Sequence, residues 1–199
     1  MSVFIKICGL RDARCVAAAV DAGVDAVGFV FAESVRRVSA AEANAISQDI
    51  PASVQRVAVM RHPSNQEWQA VLDGFAPDVL QTDAQDFNDL DVPDNVMRWP
   101  VIRQGNAGDV AIPSGEYVYE GANSGAGETV DWMQAAAIAQ QGRMILAGGL
   151  TAGNIAAAIR AVRPWGIDAS SGVESSPGEK DVALIRQFVG AARAVENDG

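Results

Sequence analysis

Apolar positions along this chain follow two periods that take turns. Short runs such as Val3-Phe4-Ile5 and Val27-Gly28-Phe29-Val30-Phe31 alternate with a period of two or are continuously apolar, and read as strands. Ala-rich stretches with helical spacing lie between them. The pattern predicts strands over residues 3–8, 26–31, 55–60, 78–81, 97–103, 117–120, 144–147 and 166–169. It predicts helices over residues 13–22, 40–47, 64–74, 131–140, 152–162 and 181–195, with a weak helical segment at 85–90. Start and stop residues agree. Asp12 stands before the first helix and Gly23 after it, and Ser39 with Glu42 three residues later makes a capping box. Residues 105–112 are too rich in glycine for a good helix.

Strands alternating with helices imply parallel pairing, and eight such units imply a closed barrel, (β/α)8, of the TIM type. Such barrels typically need ~250 residues, with ~200 at the lower end, and this chain has 199. The barrel must therefore be compact, with short loops and at least one degraded helix. A flavodoxin-like open sheet needs only five strands and would leave three of these unexplained. No linker or shift in composition divides the chain, so residues 1–199 are expected to form a single domain.

Composition narrows the partners. The net charge of −10 argues against nucleic acid and anionic membrane. It leaves room for a phosphorylated small molecule, which backbone amides and a few local cations can hold. The two cysteines, Cys8 and Cys15, and the lone histidine, His62, suit neither a disulfide framework nor a metal cage, so no metal is expected. No signal peptide or spanning segment is evident, and the expected home is the cytoplasm. Oligomeric state stays open between monomer and homodimer.

Active sites of (β/α)8 barrels lie at the carboxyl-terminal ends of the strands. On the first strand, period-two alternation puts Phe4, Lys6 and Cys8 on one face, so a cation and a thiol share a face just before Gly9. Arg36 follows the second strand, Met60-Arg61 the third, Gln81 the fourth and Arg103 the fifth. Glu120 ends the sixth strand and is a candidate acid to match a thiolate base. Gly148-Gly149 follows the seventh strand, and Asp168 through Ser170-Ser171-Gly172 closes the eighth. Loops seven and eight are the usual phosphate cradle of this architecture, and both are equipped with small residues and hydroxyls. Asp168 adjoins strand one across the barrel closure and is expected to pair with Lys6 or orient Cys8. Cys15 reads as core packing. His62, with no aspartate partner evident nearby, reads as an ordinary loop residue.

Taken together, these motifs resemble the phosphoribosylanthranilate isomerase family of tryptophan biosynthesis. The resemblance is carried by Lys6-Ile7-Cys8-Gly9-Leu10, Ser34-Val35-Arg36, Gly125-Ala126-Gly127 with Val130-Asp131-Trp132, Leu146-Ala147-Gly148-Gly149-Leu150, Asp168 through Glu174, and Pro177 through Asp181. It implies a compact barrel that converts N-(5-phosphoribosyl)anthranilate to 1-(2-carboxyphenylamino)-1-deoxyribulose 5-phosphate by an Amadori rearrangement, without a cofactor. It implies Cys8 as general base, Arg36 as the anthranilate carboxylate's partner, and Gly148, Gly149, Ser170, Ser171 and Gly172 around the phosphate. Gln81 and Asp168 are expected to touch the substrate. The family's acid is an aspartate, and here Glu120 holds that position. The family often has Gln-Leu-His-Gly after strand four, where this chain reads Gln81-Thr82-Asp83-Ala84. Val35 replaces a usual proline, and Arg37 stands where an aromatic is common. An alternative reading is a divergent paralogue that binds or isomerises another phosphoribosyl compound, with weak or lost isomerase activity. A further one is a non-catalytic phosphosugar-binding relative.

Overall fold

Local rules nucleate the helices. Asp12 accepts the amide of Cys15, and Gly23 closes the first helix in the left-handed region (φ 88°), donating to Ala19 and Val20 carbonyls. Ser39 with Glu42 and Ser64 with Glu67 form two reciprocal capping boxes. Each such cap contributes about 1 kcal/mol. In this computed structural model, which describes residues 2–105, 111–122 and 129–196, the element order is β1 (Phe4–Cys8), α1 (Ala13–Ala22), β2 (Ala26–Val30), α2 (Ala40–Ile46), β3 (Gln55–Val59), α3 (Asn65–Phe75), β4 (Val79–Asp83), β5 (Met97–Arg103), β6 (Glu116–Glu120), α4 (Trp132–Ala139), β7 (Arg143–Leu146), α5 (Ile155–Val162), β8 (Gly166–Ala169), β9 (Glu174–Ser176), β10 (Glu179–Lys180) and α6 (Val182–Glu196).

The first eight strands close into a parallel barrel, with β8 returning to pair with β1. β9 and β10 form a small antiparallel hairpin outside it. The expected (β/α)8 architecture is therefore present. After β4 a 3-10 turn, Ala84–Asn88, stands where the weak helix was expected. The glycine-rich segment 105–112 and the motif Gly125-Ala126-Gly127 fall mostly or wholly outside the described residues. Among the described residues, no helix is long and apolar enough to cross a membrane.

Alternation along each strand splits the apolar residues into two cores. Ile5, Ile7, Val27, Phe29, Leu80 and Ile102 face outward against the helices, joined by Phe75, Ile155 and Phe188. Ala26, Val57, Val79, Trp99, Val118 and Ile145 fill the barrel interior. Fully burying each large side chain contributes about 2 kcal/mol. Phe4 plugs the lower interior, stacked on Trp165 (4.6 Å between centroids) and edge-on to Trp99 (5.7 Å). That plug leaves only the upper end open to polar chemistry.

Two boundaries differ from expectation in ways that shape the site. β4 ends at Asp83, two residues later than its polarity predicts, because pairing with β5 runs on to Asp83 opposite Val101. A carboxylate at a strand end is thereby buried. The helix expected from residue 152 starts at Ile155, and Asn154 shapes the turn before it. Its side chain accepts from the Thr151 amide (2.8 Å) and donates to the Gly149 carbonyl (2.9 Å).

Candidate active site

On β1, the interior-facing residues are Phe4, Lys6 and Cys8, as the alternation predicts. Lys6 is fully buried, and its Nζ donates to Asp168 Oδ2 at 2.7 Å, across the register Lys6–Asp168 that closes the barrel. Gly28 on β2 makes room for this pair and for the thiol. A Cβ there would lie 3.0 Å from Cys8 Sγ and 3.1 Å from Lys6 Cε. Nothing in the strand pattern marked Gly28 as more than a strand glycine. Its function appears only once β1 lies beside it.

Cys8 is buried, and burial is the main cause that pushes its thiol above the ordinary range. Lys6 and Lys180 pull it down without prevailing, and Asp168 pushes it further up. Cys15 is packed in the core, as expected, with its Sγ against the Lys180 carbonyl (3.6 Å).

Cys8, Arg36, Gln81, Glu120, Gly148, Gly149, Asp168, Ser170 and Ser171 line one cavity at the carboxyl-terminal mouth. Gly172 sits behind it. A Cβ on Gly172 would lie 1.9 Å from the Leu150 carbonyl oxygen, so this glycine lets the loop after β8 press against the loop after β7. Gly148 (φ 95°) and Gly149 (φ 60°) turn the chain at the end of β7. Among the described residues, the amides of Gly149, Ser170 and Ser171 donate to no protein acceptor. Such amides are suited to anion oxygens. Two buried acceptors, Gln81 Oε1 and Asp168 Oδ1, also lack a hydrogen-bond donor, and both residues line the cavity. Hydroxyl groups of a bound molecule would satisfy them.

Arg36 lies across the end of β1. Gly9, with φ 77°, permits this, since a Cβ there would come within 2.7 Å of Arg36 Cδ and 3.2 Å of Ser170 Oγ. Arg36 is also fastened by Glu174: Nε donates to Oε1 at 2.7 Å and Nη2 to Oε2 at 2.9 Å. The motif containing Glu174 was legible in the sequence, but its contact with Arg36 was not.

The opposite side of the mouth holds a second set of charges. Arg103 donates to Glu120 on β6 and forms an ion pair with Asp83 on β4 at 2.7 Å. His62 contacts Asp86 (Nδ1, 2.9 Å) and Asp83 (Nε2, 3.3 Å), and Thr82 Oγ1 donates to Asp86 at 2.5 Å. The expectation that His62 has no aspartate partner is therefore corrected. The aspartates are more than twenty residues away and reach it only because β3 and β4 are neighbours. Bonds from Thr82 and from the His62 ring and amide hold the Asp86 carboxyl below its usual range against the cost of burial. Arg61 lines the same cavity and is exposed.

Fold and mouth together put the chain among (β/α)8 barrel enzymes whose chemistry occupies the carboxyl-terminal face. The family profile described as N-(5'phosphoribosyl)anthranilate (PRA) isomerase matches residues 5–191. Curated relatives include the N-(5'-phosphoribosyl)anthranilate isomerases of Bordetella pertussis, 37% identical over 98% of this chain and 98% of the relative, and of Listeria monocytogenes serovar 1/2a, 36% identical over 98% and 100%. A solved phosphoribosyl anthranilate isomerase in complex with reduced 1-(o-carboxyphenylamino)-1-deoxyribulose 5-phosphate superposes with a TM-score of 0.79, at 27% identity, over 96% of this chain and 99% of that one. The chain belongs to the phosphoribosylanthranilate isomerase family.

Proposed function

We propose that Cys8 and Glu120 act as base and acid in the isomerisation this family performs. The activity that follows from family membership is conversion of N-(5'-phosphoribosyl)anthranilate within tryptophan biosynthesis. Glu120 delivers a proton to the ring oxygen as the C1–O bond of the furanose breaks, and the anilino nitrogen's lone pair forms the C1=N iminium. The Cys8 thiolate then takes the C2 proton, and the electrons move to give the enaminol, which tautomerises to the aminoketone. No atoms are gained or lost, and no cofactor is needed to balance the change.

Electrostatics support the base. A base whose conjugate acid is raised by burial is a strong base once ionised. Lys6 beside Cys8 stabilises the thiolate while Asp168 Oδ2 holds Lys6 in place. Asp168 Oδ1 and Gln81 Oε1 would accept sugar hydroxyls, the loop amides after β7 and β8 with Ser170 would hold the phosphate, and Arg36 would meet the anthranilate carboxylate. The observation that carries the reading is the gathering of the thiol, the carboxyls, the arginine and the unsatisfied loop amides in one cavity.

The test is growth of a tryptophan auxotroph lacking this step, paired with an assay of the purified chain. Growth and turnover are expected. Soluble, folded protein that supports neither would sink the reading in favour of a phosphosugar-binding relative.

A further inference from the structure

Two buried charges outside the base and acid remain to be accounted for, Glu174 on β9 and Lys180 on β10. Their side chains are 4% and 1% exposed, far less than ion pairs on a surface. Glu174 has both oxygens saturated. Oε1 accepts from Arg36 Nε (2.7 Å) and Lys180 Nζ (2.5 Å), and Oε2 accepts from Arg36 Nη2 (2.9 Å) and the Gly178 amide (3.1 Å). Lys180 Nζ also donates to the Ser170 carbonyl (3.0 Å) and to Ser170 Oγ (3.1 Å).

These directions matter chemically. A guanidinium has two edges that can grip a carboxylate side by side. Glu174 takes the Nε–Nη2 edge of Arg36, and among the described residues Nη1 makes no hydrogen bond. The end-on edge is therefore left for another carboxylate, and Arg36 lines the cavity. A serine hydroxyl has one proton to give. Because Ser170 Oγ accepts from Lys180, its own proton is left for an acceptor on the cavity side.

We propose that Glu174 and Lys180 are positioning residues that lock the Arg36 guanidinium and the Ser170 hydroxyl into one rigid unit, so that the carboxylate and phosphate ends of the substrate are gripped at a fixed separation. This rests on the assignment of those two ends above. It adds a pair of residues that touch no substrate and act through the two that do. Lys180 also places a fixed positive charge directly behind the phosphate site, which an acidic chain of net charge −10 needs there. Ordering paid in the free protein is not paid again on binding, so the unit acts on affinity.

The experiment measures binding of inorganic phosphate and of anthranilate to the intact chain by calorimetry, with KM and kcat measured alongside. Lys180→Met is expected to weaken phosphate about tenfold, and Glu174→Gln to weaken anthranilate about tenfold, with KM rising and kcat within about threefold. Lys180→Arg keeps the charge and should recover most of the phosphate affinity. Should Lys180→Met fail to melt cooperatively, Lys180→Arg decides through a cycle with Ser170→Ala: its remaining effect on phosphate should vanish once the hydroxyl is gone. Unchanged phosphate and anthranilate affinities in folded variants, or a loss confined to thermal stability, overturn the proposal. Loss of turnover in Cys8 or Glu120 variants bears on the base and acid alone, because both probes bind without turnover.

Discussion

The two sides of the barrel mouth are built differently. On the β8–β1–β2 side the groups expected at the site are held by backbone amides, close-packed glycines and a saturated buried network. Arg36, Glu174, Lys180 and Ser170 there form a continuous set of contacts. On the β4–β5–β6 side the contacts run between long side chains. Asp83 ends β4, Glu120 ends β6, and Arg103 bridges the two. Arg103 fixes where both carboxylates sit. The lesson is that one side of the mouth is fixed by a buried, saturated network tied into the loop backbone, whereas the other is fixed by ion pairs between side chains of three neighbouring strands.

The sharpest way to break this comparison is at Cys8. Cys8→Ser should lower kcat by about 10³-fold and leave KM within a few-fold, since the hydroxyl fills the space without ionising. The pH profile of the unmodified chain gives an independent check. With the thiol raised by burial, the thiolate fraction and kcat/KM should still be climbing above the ordinary thiol range. A plateau already reached at neutral pH would assign the base elsewhere.

Glu120→Gln should lower kcat by about 10²-fold, and Glu120→Asp should stay within about tenfold of the parent in either direction. Steady-state kinetics of both variants decides, and full activity of the Gln variant would move the acid to another residue. Arg103→Met should cost about 2 kcal/mol of stability, because Asp83 would remain buried without its guanidinium. Adding Asp83→Asn should restore much of that loss in a denaturant titration. If the two changes were simply additive, the bridge would not be the contact that matters.

The smallest effect concerns acid. Burial alone would raise the Glu174 carboxyl, but the bonds from Arg36, Lys180 and Gly178 hold it at about 2 against an ordinary 4.5. Its folded value is depressed, so its contribution to stability is complete above the ordinary value and fades as pH falls towards about 2. Stability of the unmodified chain and of Glu174→Gln, followed by urea titration, should converge as pH drops through that window.

Much of the site could be read in the chain because strand ends are marked by local chemistry. Cys8, Gly148-Gly149 and Ser170-Ser171 each stand at the end of an apolar run, and the (β/α)8 topology sends such ends to one face. Asp83 escaped because a polar residue after Gln81 looks like a turn until β5 pairs with it. His62 escaped because its aspartates come from the next strand.

The division has one physical cause. Helix caps, strand periods and glycine turns depend on residues within about four positions of one another, so the sequence by itself determined the elements, their order and the barrel they imply. Charge partners depend on which strands become neighbours when the barrel closes. Lys6 meets Asp168 across 162 positions, as the closure of an eight-stranded barrel implies, but Arg36 meets Glu174 across 138 with no such guide. Burial decides what those meetings are worth. Only the tertiary structure could therefore decide that Arg36 is clasped by Glu174, that Ser170 Oγ accepts from Lys180, and that Glu120 is held by Arg103.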